Sequence, residues 1–297
     1  MTRDTALDSA RAAGQEAPSE SEGEPRSEEH NTARSAKQGA GQSAGRNIAL
    51  TIAYDGTDYF GFQSQAGAGL PTIQEALETA VSRLTGERVH VEGSGRTDTG
   101  VHAWGQVVNF ITKSPIPPER WRLALPPYLP DDIIVRESVE ALPCFHARFH
   151  ALSKTYIYQF YTGPAPSPFL SRYSCHAPYK LDIPAMSEAA AGFEGSHDFR
   201  GFCAAGSKVK NHVRDIYSCE IILEDPLLKL IVRGNGFLTH MVRTMGGTLL
   251  EVGMGKRSPD DIPRLLRLRD RRLSGVTLAA RGLILDRVQY DEAMFPG

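Results

Sequence analysis

Residues 93–103 (GSGRTDTGVHA) contain the side chains of this chain whose types and spacing most clearly suit chemistry. A single carboxylate, Asp98, lies among three glycines and two positions after Arg96. Glycine allows backbone angles and close approaches that other residues forbid, and the segment follows neither a helical nor a strand period. The pattern therefore predicts a loop between two strands, of the kind that carries function.

Other interpretations of this loop make different demands on its residues. A dinucleotide-binding fingerprint requires a glycine where Asp98 stands when counting starts at Gly93, which disfavours that interpretation. An aspartic protease needs two carboxylates that share a proton, whereas this chain has one Asp-Thr-Gly triplet, so only a homodimeric protease would fit. Arg96 would moreover keep that aspartate ionised. An aspartate that merely closes a turn fits equally well, and the loop alone leaves this structural interpretation open beside the catalytic one.

Composition indicates a soluble globular protein, since 41% of the 297 residues are hydrophobic and 23% are charged. Residues 1–46 contain no aromatic side chain and are rich in Glu, Ser, Gly and Ala, which predicts a disordered tail. The remaining chain has equal numbers of acidic and basic residues, so net charge gives no support for a nucleic-acid partner. We expect a cytosolic protein that does not contact a membrane, because no secretory signal and no run of about 18 apolar residues occurs.

Cysteine and histidine spacing predicts neither a metal nor a cofactor. The four cysteines form no Cys-x-x-Cys pair, so we expect reduced thiols. His146 and His150 have the spacing of a helical zinc pair, but no glutamate lies between them. The alternation of Phe and Ala with His and Arg over residues 145–150 is instead typical of a strand.

A local cluster of seven basic side chains, mixed with three aspartates, lies between residues 256 and 272. A solvated helix face and a phosphate-binding surface both fit this pattern.

Periodicity and capping signals predict an α+β fold with a largely antiparallel sheet. Helices are expected at 72–85 with a Thr72–Glu75 capping box, near Trp121, at 183–193, along an apolar stretch from 241 to 252, and from Ser258. Strands are expected at 48–54, 89–91, 107–111, 133–139, 156–162, 213–223, 227–233 and 283–290. The proline-rich stretch 164–168 predicts a join between two subdomains, residues 47–165 and 166–297.

Several segments together closely resemble the motifs of the bacterial tRNA pseudouridine synthase A family. They are residues 95–103 (GRTDTGVHA), 54–57 (YDGT), 61–63 (GFQ), 129–133 (LPDDI), 145–149 (FHARF), 237–243 (FLTHMVR), 251–253 (EVG) and 282–283 (GL). The resemblance covers residues 47–290, and it is the combination of motifs that makes it specific. Phe62 stands where the family often has tryptophan, and Lys154 and Thr155 precede the tyrosine at a place where a second arginine is common.

The resemblance implies a pseudouridine synthase fold, with an active-site cleft between the two subdomains. It implies isomerisation of uridine to pseudouridine at positions 38–40 of the tRNA anticodon stem-loop by a cytoplasmic homodimer, without cofactor or metal. Asp98 matches the catalytic carboxylate, Arg243 its basic partner, Tyr156 the tyrosine that stacks on the target base, and Arg96 a contact to the RNA. Taken alone, Tyr156 also fits core packing and Arg243 a helix surface, although Gly246 and Gly247 beside Arg243 favour close approach.

Two other functions are compatible with parts of the pattern. A non-catalytic tRNA-binding protein could keep the fold, but loss of Asp98 would mark it and Asp98 is present. An enzyme that cleaves the nucleoside without rejoining it would resemble nucleoside hydrolases, whose acidic calcium cluster the sequence lacks.

Overall fold

The computed structural model describes residues 45–64, 70–207 and 209–296. Most of the predicted tail, residues 1–46, lies outside these ranges, and its last residue already begins the first strand. Within the described ranges, no helix has the length and hydropathy needed to cross a membrane.

Strands and helices alternate irregularly along the chain. The strands are β1 (Arg46–Tyr54), β2 (Glu92–Gly93), β3 (His102–Thr112), β4 (Ile133–Ala141), β5 (Ser153–Tyr161), β6 (Cys175–His176), β7 (Gly195–Asp198), β8 (Val213–Glu224), β9 (Leu227–Gly234) and β10 (Leu283–Gln289). The α-helices are α1 (Ile73–Thr85), α2 (Trp121–Ala124), α3 (Ile183–Ala191), α4 (Met241–Gly253) and α5 (Asp261–Leu268). Short 3-10 helices occupy Pro118–Arg120, Pro126–Tyr128, Phe199–Phe202, Ala280–Gly282 and Glu292–Met294.

In the described part of the chain, these strands form one sheet in the order β4-β1-β3-β10-β5-β9-β8-β7, with β2 added to β3 and β6 to β5. Its pairings are antiparallel except those of β10 with β3 and of β5 with β6. The α+β class with a largely antiparallel sheet is therefore confirmed. Helices α3 and α4 pack together, and α3 also packs on β8, which closes the core on that part of the sheet.

The sheet does not stop at the predicted join near residue 165. Strand β5, which precedes the join, lies between β9 and β10, which both follow it. The division into 47–165 and 166–297 stays a prediction about the chain, while the hydrogen-bonded sheet is continuous across it.

Helix α1 has the ends that its sequence predicts. The Thr72 side chain accepts a hydrogen bond from the Glu75 backbone N–H, and the Glu75 carboxylate accepts one from the Thr72 N–H, which completes the capping box. Gly86 ends the helix in the left-handed conformation, at a φ of 76°. The buried side chains Ile73, Leu77 and Val81 fix this helix in the core.

Two strand predictions are wrong for identifiable reasons. Residues 89–91 are not a strand, because side chains of α1 satisfy the backbone there: Gln74 donates to the Val91 carbonyl at 3.2 Å, and Glu78 accepts from the Val91 N–H at 3.0 Å. Residues 145–150 form turns, in which the Nδ1 atoms of His146 and His150 accept backbone N–H groups. The short strands β6 and β7 are absent from the predictions, since two to four residues show no readable period.

Candidate active site

The loop from Ser94 to Val101 connects β2 to β3 and is tied to the sheet at several points. The Ser94 N–H donates to the Val107 carbonyl at 2.8 Å. The fully buried Gln106 side chain bonds the Ser94 hydroxyl and donates to the Gly95 carbonyl at 2.8 Å. Further along the loop, the hydroxyls of Tyr54 and Thr97 lie 2.8 Å apart. These contacts hold the backbone that carries Asp98.

A second segment, residues 56–62, lies directly against this loop because it contains glycines. A Cβ atom on Gly56 would lie 2.0 Å from the carbonyl oxygen of Val101, and one on Gly61, where φ is +79°, would lie 2.5 Å from that of Thr97. The Phe62 N–H also donates to the Thr97 carbonyl at 3.1 Å. No larger side chain fits at either position without moving the loop.

We expect Gly56→Ala to destabilise the fold by about 1–3 kcal/mol, because the new methyl group meets a backbone oxygen that must shift. At about 2–4 °C per kcal/mol, thermal unfolding monitored by circular dichroism would detect this change. Gly236→Ala is the matched control, since its Cβ would contact Arg214 at an ordinary 3.6 Å. Equal melting temperatures for the two variants would contradict the close-packing argument.

Asp98 meets Arg243 across the cleft. Arg243 Nη1 donates to Asp98 Oδ2 at 3.2 Å, while its Nε donates to the Leu278 carbonyl at 2.8 Å. The side chain of Arg243 is only 14% exposed, whereas that of Asp98 is 32% exposed. The guanidinium is thus anchored inside the protein, and the carboxylate remains accessible from the cleft.

The glycines after Arg243 do permit close approach, but to a different segment than the aspartate loop. A Cβ on Gly247 would lie 2.0 Å from the Val276 carbonyl oxygen. The same segment continues to Leu278, whose N–H and carbonyl both pair with Arg243. The glycines therefore act on Arg243 indirectly, by bringing its backbone acceptor next to α4.

His240 is a site residue next to Asp98 that the sequence predictions miss. It precedes α4 in the left-handed conformation, at a φ of 64°, and its Nε2 lies 3.6 Å from Asp98 Oδ2. Burial lowers the pKa of His240; the Asp98 carboxylate opposes this shift, and Arg243 reinforces it. The imidazole is therefore neutral at neutral pH. Its position three residues before Arg243, within the motif 237–243, was the available signal.

Tyr156 projects from β5 into the same cleft. It is 7% exposed, and its ring packs edge-on against Phe237 at a centroid distance of 5.1 Å. Burial raises the pKa of its hydroxyl, and the proximity of Tyr54 and Asp98 adds to the shift. The hydroxyl consequently stays protonated at neutral pH.

Asp98, Tyr156 and Arg243, from three separate segments, line one cleft of about 1010 Å³. Arg96 lines it too and is exposed. The cleft wall also contains the basic side chains of Arg148, Lys154 and Arg214, which the site predictions omit.

Four of the seven basic side chains in the cluster between residues 256 and 272 pair with carboxylates. Arg257 pairs with Glu251 at 2.5 Å, and Arg272 pairs with Asp270 at 2.6 Å. Arg264 and Arg269 also pair with carboxylates, those of Asp261 and Asp198. Such pairing fits the solvated-surface interpretation of the cluster better than the phosphate-binding one.

Known proteins of one family are similar to this chain. A family described as tRNA pseudouridine synthase matches residues 50–150 and 189–291. Proteins named tRNA pseudouridine synthase A from Moorella thermoacetica and Acetivibrio thermocellus are 47% and 46% identical to this chain, over 82% of it and 99% of each relative. A third, from a Geobacillus species, is 44% identical over 82% of the chain and 98% of the relative. The chain belongs to the tRNA pseudouridine synthase A family, whose members are isomerases.

Proposed function

We propose that the protein isomerises uridine to pseudouridine at positions 38, 39 and 40 of the tRNA anticodon stem-loop, with Asp98 as the catalytic carboxylate. The observation that carries this proposal is the contact of an accessible Asp98 carboxylate with a buried Arg243 guanidinium, in a cleft that also contains Tyr156. Family membership supports tRNA as the substrate.

The proposed reaction requires an ionised carboxylate at a fixed position. The bond from the ribose C1′ to N1 of uracil breaks, the base rotates, and a bond from C1′ to C5 replaces it; C5 loses its proton and N1 gains one. No redox step or energy input is needed, so we propose no cofactor. A carboxylate can attack the sugar, attack the base or take up the 2′ proton, and Asp98 could play any of these roles.

Arg243 and Tyr156 would support Asp98 in different ways. The guanidinium would keep the carboxylate ionised and oriented, because it donates to Asp98 from an anchored position. The tyrosine ring would pack against the target base. The pKa of its hydroxyl is raised, so the hydroxyl would remain protonated at neutral pH and donate a hydrogen bond. A role for Tyr156 as a phenolate base is therefore disfavoured.

The target uridine must leave its stack to reach Asp98. Flipping a nucleotide costs a few kcal/mol, which contacts to the RNA backbone must offset. Arg96 is exposed at the cleft, where it could contact a phosphate or fill the gap that the flipped base leaves. A tRNA substrate also fits the cytoplasmic location that the sequence predicts.

We also propose that the protein is a homodimer in which both subunits shape the tRNA cleft. Trp104 on β3 and Ile134 on β4 are each 57% exposed, on strands that flank β1 on either side. Exposed apolar side chains on neighbouring strands are typical of an interaction surface.

Ile134→Glu is expected to yield monomers in light scattering coupled to size-exclusion chromatography, because it would bury a charge at that surface. Ile222→Glu, on the distant strand β8 and 37% exposed, should leave the dimer intact. A dimeric Ile134→Glu variant would remove this surface from the interface.

Release of tritium from tRNA labelled at uridine C5 tests the proposed activity. Wild-type protein should release label and form pseudouridine, while a matched transcript with cytidine at positions 38–40 should release none. Release without pseudouridine would indicate a nucleoside-cleaving enzyme. Binding without release would indicate a non-catalytic tRNA-binding protein, and either result would overturn the proposal.

A further inference from the structure

Three basic side chains of the cleft wall contact backbone carbonyls or an aromatic ring. Lys154 on β5 donates to the Ser94 carbonyl at 2.6 Å, and Arg214 on β8 donates to the carbonyls of Asn211 and Val213. Arg148, in the turn before β5, has its guanidinium 5.6 Å from the ring centre of Phe149. Among the described residues, none of the three forms an ion pair, in contrast to the paired arginines at 257–272.

Burial and the neighbouring arginines both disfavour the charged form of Lys154. Burial lowers the pKa of Lys154 to about 8, and the charges of Arg148 and Arg214 add to the shift. Burial also lowers the pKa of Arg214. Lys154 and Arg214 are partly buried, and in the described structure no carboxylate lies within ion-pair distance of any of the three side chains, so the arrangement is suited to an anion that arrives from outside.

The position of the three groups relative to the reacting residues indicates which anion this is. Lys154 lies two residues before Tyr156 on β5, hence on the same side of the strand and about 6–7 Å from it. Its acceptor, Ser94, begins the loop that holds Asp98. An RNA strand whose uridine lies between Tyr156 and Asp98 would therefore bring an adjacent backbone phosphate to this wall.

We propose that Arg148, Lys154 and Arg214 form a subsite for an RNA backbone phosphate next to the target uridine. The inference rests on the proposed function, which it extends by naming the side chains that hold the strand while the base is out of its stack. Arg148 and Arg214 can each offer two N–H donors to one phosphate, and Lys154 a compact charge. We name this group the phosphate wall.

Equilibrium binding of an anticodon stem-loop tRNA transcript tests the phosphate wall. Lys154→Gln and Arg148→Gln should each raise Kd about tenfold. Each should also lower the slope of log K against log salt by about 0.7–0.9, as expected for one lost phosphate contact. Lys229→Gln is the matched control, because Lys229 lies on β9 outside the cleft and pairs with Glu224. Arg148 is exposed, so its variant reports on binding even if Lys154→Gln folds poorly.

The pH dependence of binding provides a readout that a purely structural role would not change. A phosphate stabilises the charged amine, so affinity is full below the free-protein pKa and falls as pH rises through it. With a pKa of about 8, the charged fraction of Lys154 drops from about nine-tenths at pH 7 to about one-tenth at pH 9. Since losing the whole charge costs about tenfold, wild-type Kd should rise about fivefold over that range. Lys154→Arg should show no such rise, because its guanidinium stays charged.

The groups around Lys154 allow the pH dependence of Kd to be assigned to Lys154 itself. The neighbouring strands pair it with Val288 and Gly234, neither of which titrates. The charged or titratable groups that share the cleft with it are Arg96, Asp98, Arg148, Tyr156, Arg214, His240 and Arg243. The lowered pKa of His240 keeps its imidazole neutral between pH 7 and 9, and the raised pKa of Tyr156 keeps its hydroxyl protonated at neutral pH.

The outcomes separate this inference from the proposed function. If wild-type protein forms pseudouridine but Lys154→Gln and Arg148→Gln match the control in Kd and salt slope, the phosphate wall is wrong and the activity stands. An equal pH response of wild type and Lys154→Arg would likewise overturn it. If wild-type protein neither binds nor modifies the transcript, both proposals fail.

Discussion

Asp98→Asn is expected to abolish pseudouridine formation, with a fall in kcat of at least about four orders of magnitude. The amide has nearly the shape of the carboxylate but no negative charge, so it can neither attack carbon nor accept a proton effectively. Single-turnover kinetics with C5-tritiated tRNA would measure this loss. Because Asp98 is accessible and its loop is held by Gln106, Tyr54 and the segment 56–62, we expect the variant to fold and to bind tRNA.

The matched control for Asp98→Asn is Asp261→Asn. Asp261 also pairs with an arginine at 3.3 Å, but it lies in the first turn of α5, outside the cleft. Its loss should leave turnover unchanged and cost at most about 1 kcal/mol of stability. Turnover by Asp98→Asn within tenfold of wild type would remove Asp98 from the catalytic role.

Arg243→Lys is expected to lower kcat by about 100-fold, even though it keeps the positive charge. The guanidinium contacts Asp98 through Nη1 and the Leu278 carbonyl through Nε, which fixes its direction. A lysine ammonium cannot reproduce this planar, two-sided contact, so the carboxylate loses its orientation. Arg243→Ala should be worse, because the partly buried carboxylate then has no donor from α4.

Binding measurements distinguish this positioning role from a role in holding RNA. For both Arg243 variants, we expect the Kd for tRNA to change less than kcat, the opposite of the pattern expected for variants of the phosphate wall. Arg264→Lys serves as the control, since Arg264 pairs with Asp261 on the exposed face of α5. Near-normal kcat in Arg243→Lys would show that the orientation of Asp98 does not depend on the guanidinium.

Local chemistry made much of the fold predictable. The capping box of Thr72 and Glu75 and the glycine at 86 involve residues within a few positions of one another, so the bounds of α1 could be read directly. Strand prediction failed where side chains from elsewhere took over the hydrogen bonding. Residues 89–91 have strand-forming side chains, but Gln74 and Glu78 of α1 bind Val91 in place of a strand partner.

The sequence by itself determined the family resemblance, the α+β class and the identity of the loop that carries Asp98. These features depend on the order of residues in short segments, in which turns, caps and periodicity operate.

Only the tertiary structure decided which charged side chains contact one another. Arg243 and Asp98 are 145 residues apart, and Lys154 and Ser94 are 60 apart. Four of the seven basic side chains in the conspicuous stretch 256–272 pair with carboxylates, while the scattered Arg148, Lys154 and Arg214 converge without an ion-paired carboxylate in the described structure. Whether a charge is neutralised depends on which side chains folding brings within a few ångströms of it. The spacing of residues along the chain does not show which distant side chains become neighbours.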